Sequence, residues 1–306
     1  MKIAILGAGG VGGYFGGRLA AAGNDVTFIA RGAHLDAIRR QGLRLLSPLG
    51  EIHVPKVKAV ETIAEAGAVD LVLVGVKLWD TEAIAPSLRP LAERGAAILS
   101  LQNGVQKDEI FRRHVPSQAI MGGVCYIAAL IEAPGIIRHN GTMQRLVFGE
   151  YGGARSARGE ALLEACTGAG IDAELSGEIE RLIWEKFVFL VGLSGTTALL
   201  RQPIGPIREN AESRALLLET MRDVVAVGRA RGVPLPPDFA ENRLAFCDTI
   251  PATMTSSMHG DLDRGNRLEL PWLSGGVVEM GAAVGVPTPA NKKIADALAP
   301  FVQGRA

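Results

Sequence analysis

The first residues whose types and spacing could do chemistry are Gly7-Ala8-Gly9-Gly10-Val11-Gly12, which follow directly on the apolar run from Lys2 to Leu6. Gly7 permits the tight turn after a strand, Gly9 lets the backbone approach a pyrophosphate, and Gly12 lets the next helix pack on the sheet. That helix would turn its free amides and positive dipole end toward the phosphates. A bare GxGxxG says little. Here an aliphatic strand precedes it and an Ala, Gly and Leu-rich stretch to Ala22 follows, as a dinucleotide-binding turn requires. The competing reading is a glycine-rich turn with no ligand.

The second strand, Asp25 to Ala30, ends where an acid would hold a ribose 2′-hydroxyl. That place holds Ala30, Arg31 and Gly32. A guanidinium can pair with a 2′-phosphate through parallel hydrogen bonds, so the cofactor expected is NADP(H). The alternative is that Arg31 is a solvated loop residue.

Further polar residues stand at strand ends and in an apolar helix. Lys77 follows the strand ending at Val74, and Asn103 follows the one ending at Leu101, so both would emerge at the carboxyl edge of a parallel sheet. Either could hold cofactor or substrate oxygens, although a loop lysine and an Asn-Gly turn need no ligand. Lys186 lies inside the run from Leu182 to Val191, with Leu190 and Ser194 one and two turns further along. An ammonium there either snorkels outward or lines a pocket as a general acid. The polar stretch from Thr255 to Glu269 reads as a loop feeding a helix, and it offers the hydroxyls of Ser256 and Ser257 and an acid, Glu269, at the head of that helix where an anion is favoured anyway. His259 sits in the same stretch, and neither it nor the other histidines show metal-ligand spacing.

The elements that must position these groups divide the chain. Up to about Gly149, short aliphatic strands alternate with amphipathic helices, which calls for a parallel sheet covered on both faces. Ser47 to Gly50 reads as the turn of an inserted hairpin, and Pro134-Gly135 and Asn140-Gly141 as turns between edge strands. A helix from Arg155 to Ala169 and a strand from Asp172 to Leu175 complete this part. From Gly177 on, strand signals vanish and helical patterns run over Glu178 to Leu200, Arg208 to Arg231, Asp238 to Cys247 and Leu270 to Val284. The expected fold class is α/β, with a Rossmann-type doubly wound sheet over 1–176 and an all-α domain over 177–306. The substrate would then sit in a cleft between the two domains.

Composition narrows the partners. Lys+Arg and Asp+Glu balance at 32 each, so there is no electrostatic footprint for nucleic acid or an anionic membrane. Cys125, Cys166 and Cys247 are odd in number and follow no CxxC pattern, which argues against disulfides and zinc and points to the reducing cytosol. Met1 leads directly into the first strand with no charged leader segment, and no stretch of 18 or more apolar residues is read, so neither export nor a membrane span is expected. The partner should be a small molecule.

Together, GAGGVG from Gly7, the pair Arg31-Gly32, VKLWDT from Val76, LQNGV from Leu101, WEKF from Trp184, SSMHGDLDRG from Ser256 and Glu269 before a helix resemble the ketopantoate reductase (2-dehydropantoate 2-reductase) family over nearly the whole chain. The resemblance implies NADPH-dependent reduction of the 2-oxo acid 2-dehydropantoate to pantoate, a step of pantothenate biosynthesis, by a homodimer. It places Gly7 to Gly12, Arg31, Lys77 and Asn103 on the cofactor. It makes Lys186 the catalytic acid, Glu269 the group that orients the substrate or that lysine, and Asn103, Ser194 and Ser257 substrate contacts. The family pattern carries Asn where this chain has Leu190 and Ser194, and a longer amide where it has Asp80. Two alternatives follow: a reductase of a different, more apolar 2-oxo acid, or a non-catalytic protein that binds or senses NADP(H).

Overall fold

The computed structural model describes residues 1–305. Along the chain β1 (Lys2–Leu6), α1 (Gly10–Ala21), β2 (Asp25–Ile29), α2 (Gly32–Gln41), β3 (Leu43–Leu46), β4 (Ile52–Val54), β5 (Lys58–Val60) and β6 (Leu71–Val74) are followed by α3 (Thr81–Ala92), β7 (Ala97–Ser100), α4 (Lys107–Arg112), β8 (Ile120–Ala133), β9 (Ile136–Glu150), α5 (Ala157–Gly168) and β10 (Asp172–Leu175). They build one ten-stranded sheet in the order β4-β3-β9-β8-β7-β6-β1-β2-β5, with β10 beside β9. The expected α/β class and doubly wound sheet are what is found.

Strands β7, β6, β1, β2 and β5 run parallel. Their residues alternate between two cores: Ile3, Ile5, Leu71, Leu73 and Leu99 pack with α1, α2 and α5, while Ala4, Leu6, Val72, Val74 and Ile98 pack with α3 and α4. Burial on both faces is why these strands read as unbroken apolar runs. Because the strands share one direction, the ends of β2, β1, β6 and β7 fall along one edge in that order. Arg31, Gly7, Lys77 and Asn103 follow those ends.

The sheet departs from the expectation at its other side. It is mixed: β8 and β9 are antiparallel, as are β3 and β4. The expected β3–β4 hairpin forms, and it stands at the far edge of the sheet beside β9. Asn140-Gly141 is no turn between strands. β9 runs through it as a bulge, the pairing stepping from Ile127–Gln144 to Ala128–Asn140. His139 closes the bulge, since one ring nitrogen meets the Met143 carbonyl at 2.9 Å and the other meets the Ser47 hydroxyl at 2.9 Å.

The second unit comprises Gly104–Gln106 and the chain from Glu180 onward, the first Met1–Asn103 and Lys107–Ile179. The remaining helices are α6 (Ile179–Leu200), α7 (Ile204–Glu209), α8 (Ala211–Ala230), α9 (Phe239–Cys247), α10 (Ser257–Arg264), α11 (Ser274–Val284) and α12 (Pro289–Leu298). The helix expected over Arg208 to Arg231 is broken because Asn210 accepts the amides of Glu212 and Ser213 and so starts α8 afresh. Leu270 opens only a short 3₁₀ turn before α11. Among the described residues, α6 is long and apolar enough to cross a membrane by length and composition, but 67% of its apolar window is buried within the protein. Phe187, Val188 and Val191 of α6 join Leu217, Met221 and Val224 of α8 in the core of this unit.

Helix α1 has five glycines in twelve residues, which weakens a helix by about 1 kcal/mol each relative to alanine. Close packing offsets that cost: a Cβ on Gly16 would strike Ile5 and Phe28, and one on Gly10 would lie 2.2 Å from the Ala129 carbonyl oxygen of β8. At an open helix position Gly→Ala stabilises. At Gly10 we expect the opposite sign, a loss of about 1–3 kcal/mol from overpacking against backbone, read as a lower urea midpoint. A stabilised Gly10→Ala variant would refute the contact.

Candidate functional site

The turn between β1 and α1 brings together what the glycine spacing anticipated. Gly7 has φ of +97°, a conformation in which a side chain would be strained, and a Cβ there would lie 2.7 Å from the Val76 amide nitrogen. A Cβ on Gly12 would lie 2.2 Å from the Gly7 carbonyl oxygen. Gly9 differs, because a Cβ there would meet no atom within 4 Å. It opens onto empty space in front of the first turn of α1, which has no side-chain cap and no acid in its first turn. Such a helix start presents uncapped amides and a positive dipole end, suited to an anion. The opening at Gly9 and these donors fit a dinucleotide pyrophosphate. Gly10 faces β8 instead, and Ala8 is buried, its amide donating 3.1 Å to the Ile29 carbonyl.

Arg31 follows β2 as the residue preceding α2 and is exposed. Among the described residues its guanidinium engages no hydrogen bond, ion pair or ring contact. Gly32 beside it is open as well. Arg31 is thus a cation at the end of the strand next to the glycine turn, with its donors uncommitted.

Lys77 and Asn103 emerge from neighbouring strands, three residues beyond the paired Val74 and Ser100. Lys77 is exposed, with Nζ 5.4 Å from the centre of the Trp79 ring, and Asn103 is partly buried. A buried polar network ties their loops together. The Leu101 amide donates 2.9 Å to the Val74 carbonyl, Ser100 Oγ donates 2.9 Å to Gln102 Oε1, and Gln102 Nε2 donates 2.8 Å to Thr81 Oγ1. Lys107, fully buried, donates 2.8 Å to the carbonyls of both Ser100 and Gly123 and lies 3.7 Å from Asp108. Burial pulls Lys107 below the ordinary lysine value, opposed by the Asp108 carboxylate. Asp108 also accepts the Tyr151 hydroxyl, whose pKa burial raises.

In the second unit Lys186 is partly buried on α6, as is Leu190 one turn on. Ser194 is fully buried and its Oγ has no hydrogen-bond partner among the described residues. The polar stretch expected as a loop contains α10, and the two serines separate. Ser256 is buried and caps α10, accepting the His259 amide at 3.0 Å and lying 3.2 Å from Thr197 Oγ1. Ser257 is exposed at the start of the helix. His259 faces Asp263 at 3.1 Å, and Glu269 is a buried carboxylate, 7% exposed, before the turn at Leu270.

Sequence reasoning gave no role to His34, Gln102 or Lys107, and the partners of His34 are distant in the chain. Lys107 and Gln102 lie within seven and two residues of Ser100, so the LQNG loop offered a local hint. His34 offered none.

Two family models match the chain: Ketopantoate reductase PanE/ApbA over residues 3–153, and Ketopantoate reductase PanE/ApbA C terminal over residues 178–301. The chain is 32% identical to a 2-dehydropantoate 2-reductase of Mesorhizobium japonicum, covering 94% of each chain. Among solved structures it is similar to a PanE/ApbA family ketopantoate reductase from Ralstonia eutropha JMP134, with a TM-score of 0.89, 34% identity and 98% of each chain covered. It shares its fold with a D-mandelate dehydrogenase solved with NADH and anilino(oxo)acetate, at a TM-score of 0.88, 23% identity and 98% of each chain covered.

The geometry at Gly9 separates binding from folding. Its φ of −72° and ψ of −162° suit any residue, and the space beyond is open. We expect Gly9→Ala to leave the thermal midpoint unchanged while its methyl group weakens nicotinamide dinucleotide binding by about tenfold or more, about 1.4 kcal/mol, measured by fluorescence titration. Unaltered affinity would show that phosphates do not lie there.

Proposed function

The chain belongs to the ketopantoate reductase family of oxidoreductases acting on 2-oxo acids, and from that premise we propose that it reduces 2-dehydropantoate to pantoate with NADPH. The observation that carries the cofactor choice is Arg31, an uncommitted guanidinium where β2 ends, at the place an acid would occupy in an enzyme that prefers NADH. It would pair with the 2′-phosphate through charge-assisted hydrogen bonds. The open Gly9 and the uncapped start of α1 would take the pyrophosphate, and Lys77 and Asn103 would hold oxygens of the nicotinamide half and the substrate.

When bound, the reduced nicotinamide supplies a hydride to the ketone carbon. As that bond forms, negative charge grows on the ketone oxygen, and the Lys186 ammonium stabilises it and transfers a proton from Nζ. Glu269, a buried carboxylate, would orient the substrate hydroxyl or Lys186 itself. Ser194 and Ser257 would supply hydroxyls to the substrate. Holding the acid and the ketone in fixed geometry contributes much of the remaining acceleration.

A second reading keeps the chemistry and changes the substrate. Leu190, one turn beyond Lys186, cannot hydrogen-bond a hydroxyl, which favours a 2-oxo acid with a more apolar side chain. Oxidation of NADPH followed by absorbance over a panel of 2-oxo acids decides between the two. Turnover of 2-dehydropantoate supports the first, and turnover of a relative without it supports the second.

Two variants test the assigned roles. Lys186→Ala should lower kcat by about 10²–10⁴-fold while NADPH binding is kept, and unchanged turnover would refute the mechanism. Arg31→Ala should weaken NADPH about 10–100-fold, the worth of hydrogen bonds to a charged group, with little effect on NADH. Equal losses for both cofactors would remove the 2′-phosphate assignment.

A further inference from the structure

His34 lies on the first turn of α2, three residues beyond Arg31, and both of its ring nitrogens are engaged. Nε2 is 2.8 Å from the Ala8 carbonyl oxygen in the glycine turn, and the Gly135 amide donates 3.0 Å to Nδ1. A carbonyl can only accept and an amide N–H can only donate. Only the neutral ring with its proton on Nε2 satisfies both contacts. Burial keeps the ring in that state by pushing His34 below the ordinary histidine value, against the opposing pull of the Ala8 carbonyl.

The far side of this bridge is itself braced. Gly135, in the turn between β8 and β9, is buried, and its carbonyl accepts the Arg44 amide of β3 at 2.9 Å. His34 therefore ties the glycine turn to a fixed point of the sheet through the helix that begins just after Arg31.

The contact with Ala8 acts on the residue beside it. The Ala8 carbonyl and the Gly9 N–H belong to one planar peptide, and in a trans peptide they point in opposite directions. Among the described residues no peptide bond is cis. Fixing the carbonyl therefore fixes the direction of the Gly9 N–H, at the residue whose missing side chain leaves the opening. The neighbouring Ala8 amide is already spent on the Ile29 carbonyl.

We propose that His34 is a positioning residue for the cofactor, holding the Ala8–Gly9 peptide so that the Gly9 amide is presented to the dinucleotide pyrophosphate. The inference rests on the nicotinamide dinucleotide reading above, and it assigns His34 to the part of the cofactor that NADPH and NADH share. Its signature is therefore unlike that of Arg31, which discriminates between them.

The test is fluorescence titration of NADPH and NADH against the wild-type chain, His34→Ala and His34→Gln, with thermal midpoints and, at saturating NADPH, kcat on whichever oxo acid is turned over. The alanine variant should bind both cofactors about tenfold more weakly, in equal proportion, as expected for one well-aligned hydrogen bond, with kcat retained. Glutamine carries a donor and an acceptor on one planar group, so His34→Gln should restore most of the affinity. The glutamine variant also serves should the alanine variant not fold. Unchanged affinity in His34→Ala, a loss confined to NADPH, or no recovery with glutamine would each overturn the proposal. If the wild-type chain bound neither dinucleotide, the cofactor reading itself would fall. Wild-type binding with no effect of His34→Ala removes His34 alone.

Discussion

The first unit depends on backbone coming closer to backbone than any side chain would allow. At the start of α1 the Gly7 turn lies against Val76, Gly12 lies against the Gly7 carbonyl, and Gly10 lies against the Ala129 carbonyl of β8. Three strand segments thus converge on one helix end. The helix is poor in intrinsic terms and persists because packing fixes it. Its glycines let the sheet come near, and of the four in the motif only Gly9 is left with open space before it. Packing closes the other three positions, and the proposed phosphate site is the one left open.

A second constraint holds the loops beside that turn. The carbonyls and hydroxyls at the end of β7 are out of water, and each needs a partner or costs about 1–3 kcal/mol. Ser100, Gln102, Thr81 and Lys107 bond to one another, and Lys107 reaches on to the Gly123 carbonyl. That set crosses from the loop carrying Asn103 to the helix that follows Lys77, so two residues on different strand ends cannot drift independently. A buried lysine is an expensive way to bind two carbonyls, since its ammonium must be desolvated. Its neighbour Asp108 offsets part of that cost, being itself buried 3.7 Å away.

How much was legible follows from how local each signal is. The strand before Gly7, the turn and the arginine ending β2 are readable because each is decided within a few residues by conformational and steric rules. Asn140-Gly141 misled for the same reason. Its local signal is that of a turn, and it becomes a bulge because β9 stays paired with β8 on both sides of it and His139 is held by Ser47, 92 residues away, as well as by Met143. Ser256 and Gly265 bracket α10 with a cap and a left-handed stop, yet eight residues rich in charge give too little apolar period to announce a helix. His34 could not be found at all. Its two partners are 26 and 101 residues distant, and a lone histidine in an amphipathic helix carries no mark of either.

The helix proposed to carry the catalytic acid, α6, is also a core element of its unit. From Val191 to Ala198 every residue of α6 is buried, so this half has no free face. Thr196 and Thr197 meet that condition by turning their hydroxyls back onto the carbonyls of Gly192 and Leu193, at 2.7 and 2.6 Å. Ser194 could do the same and does not; its Oγ is buried without a protein partner. A hydroxyl left so costs more than an alanine would, which is a reason to assign it an external acceptor or donor, the role the proposed mechanism gives it toward the substrate. Leu190 makes the complementary point, since it packs against the core of this unit. Any polar replacement there would have to satisfy its own hydrogen bonds while giving up apolar contact. On the proposed mechanism, substrate choice is coupled to the packing of α6, and a change of specificity at Leu190 or Ser194 has to be solved together with stability.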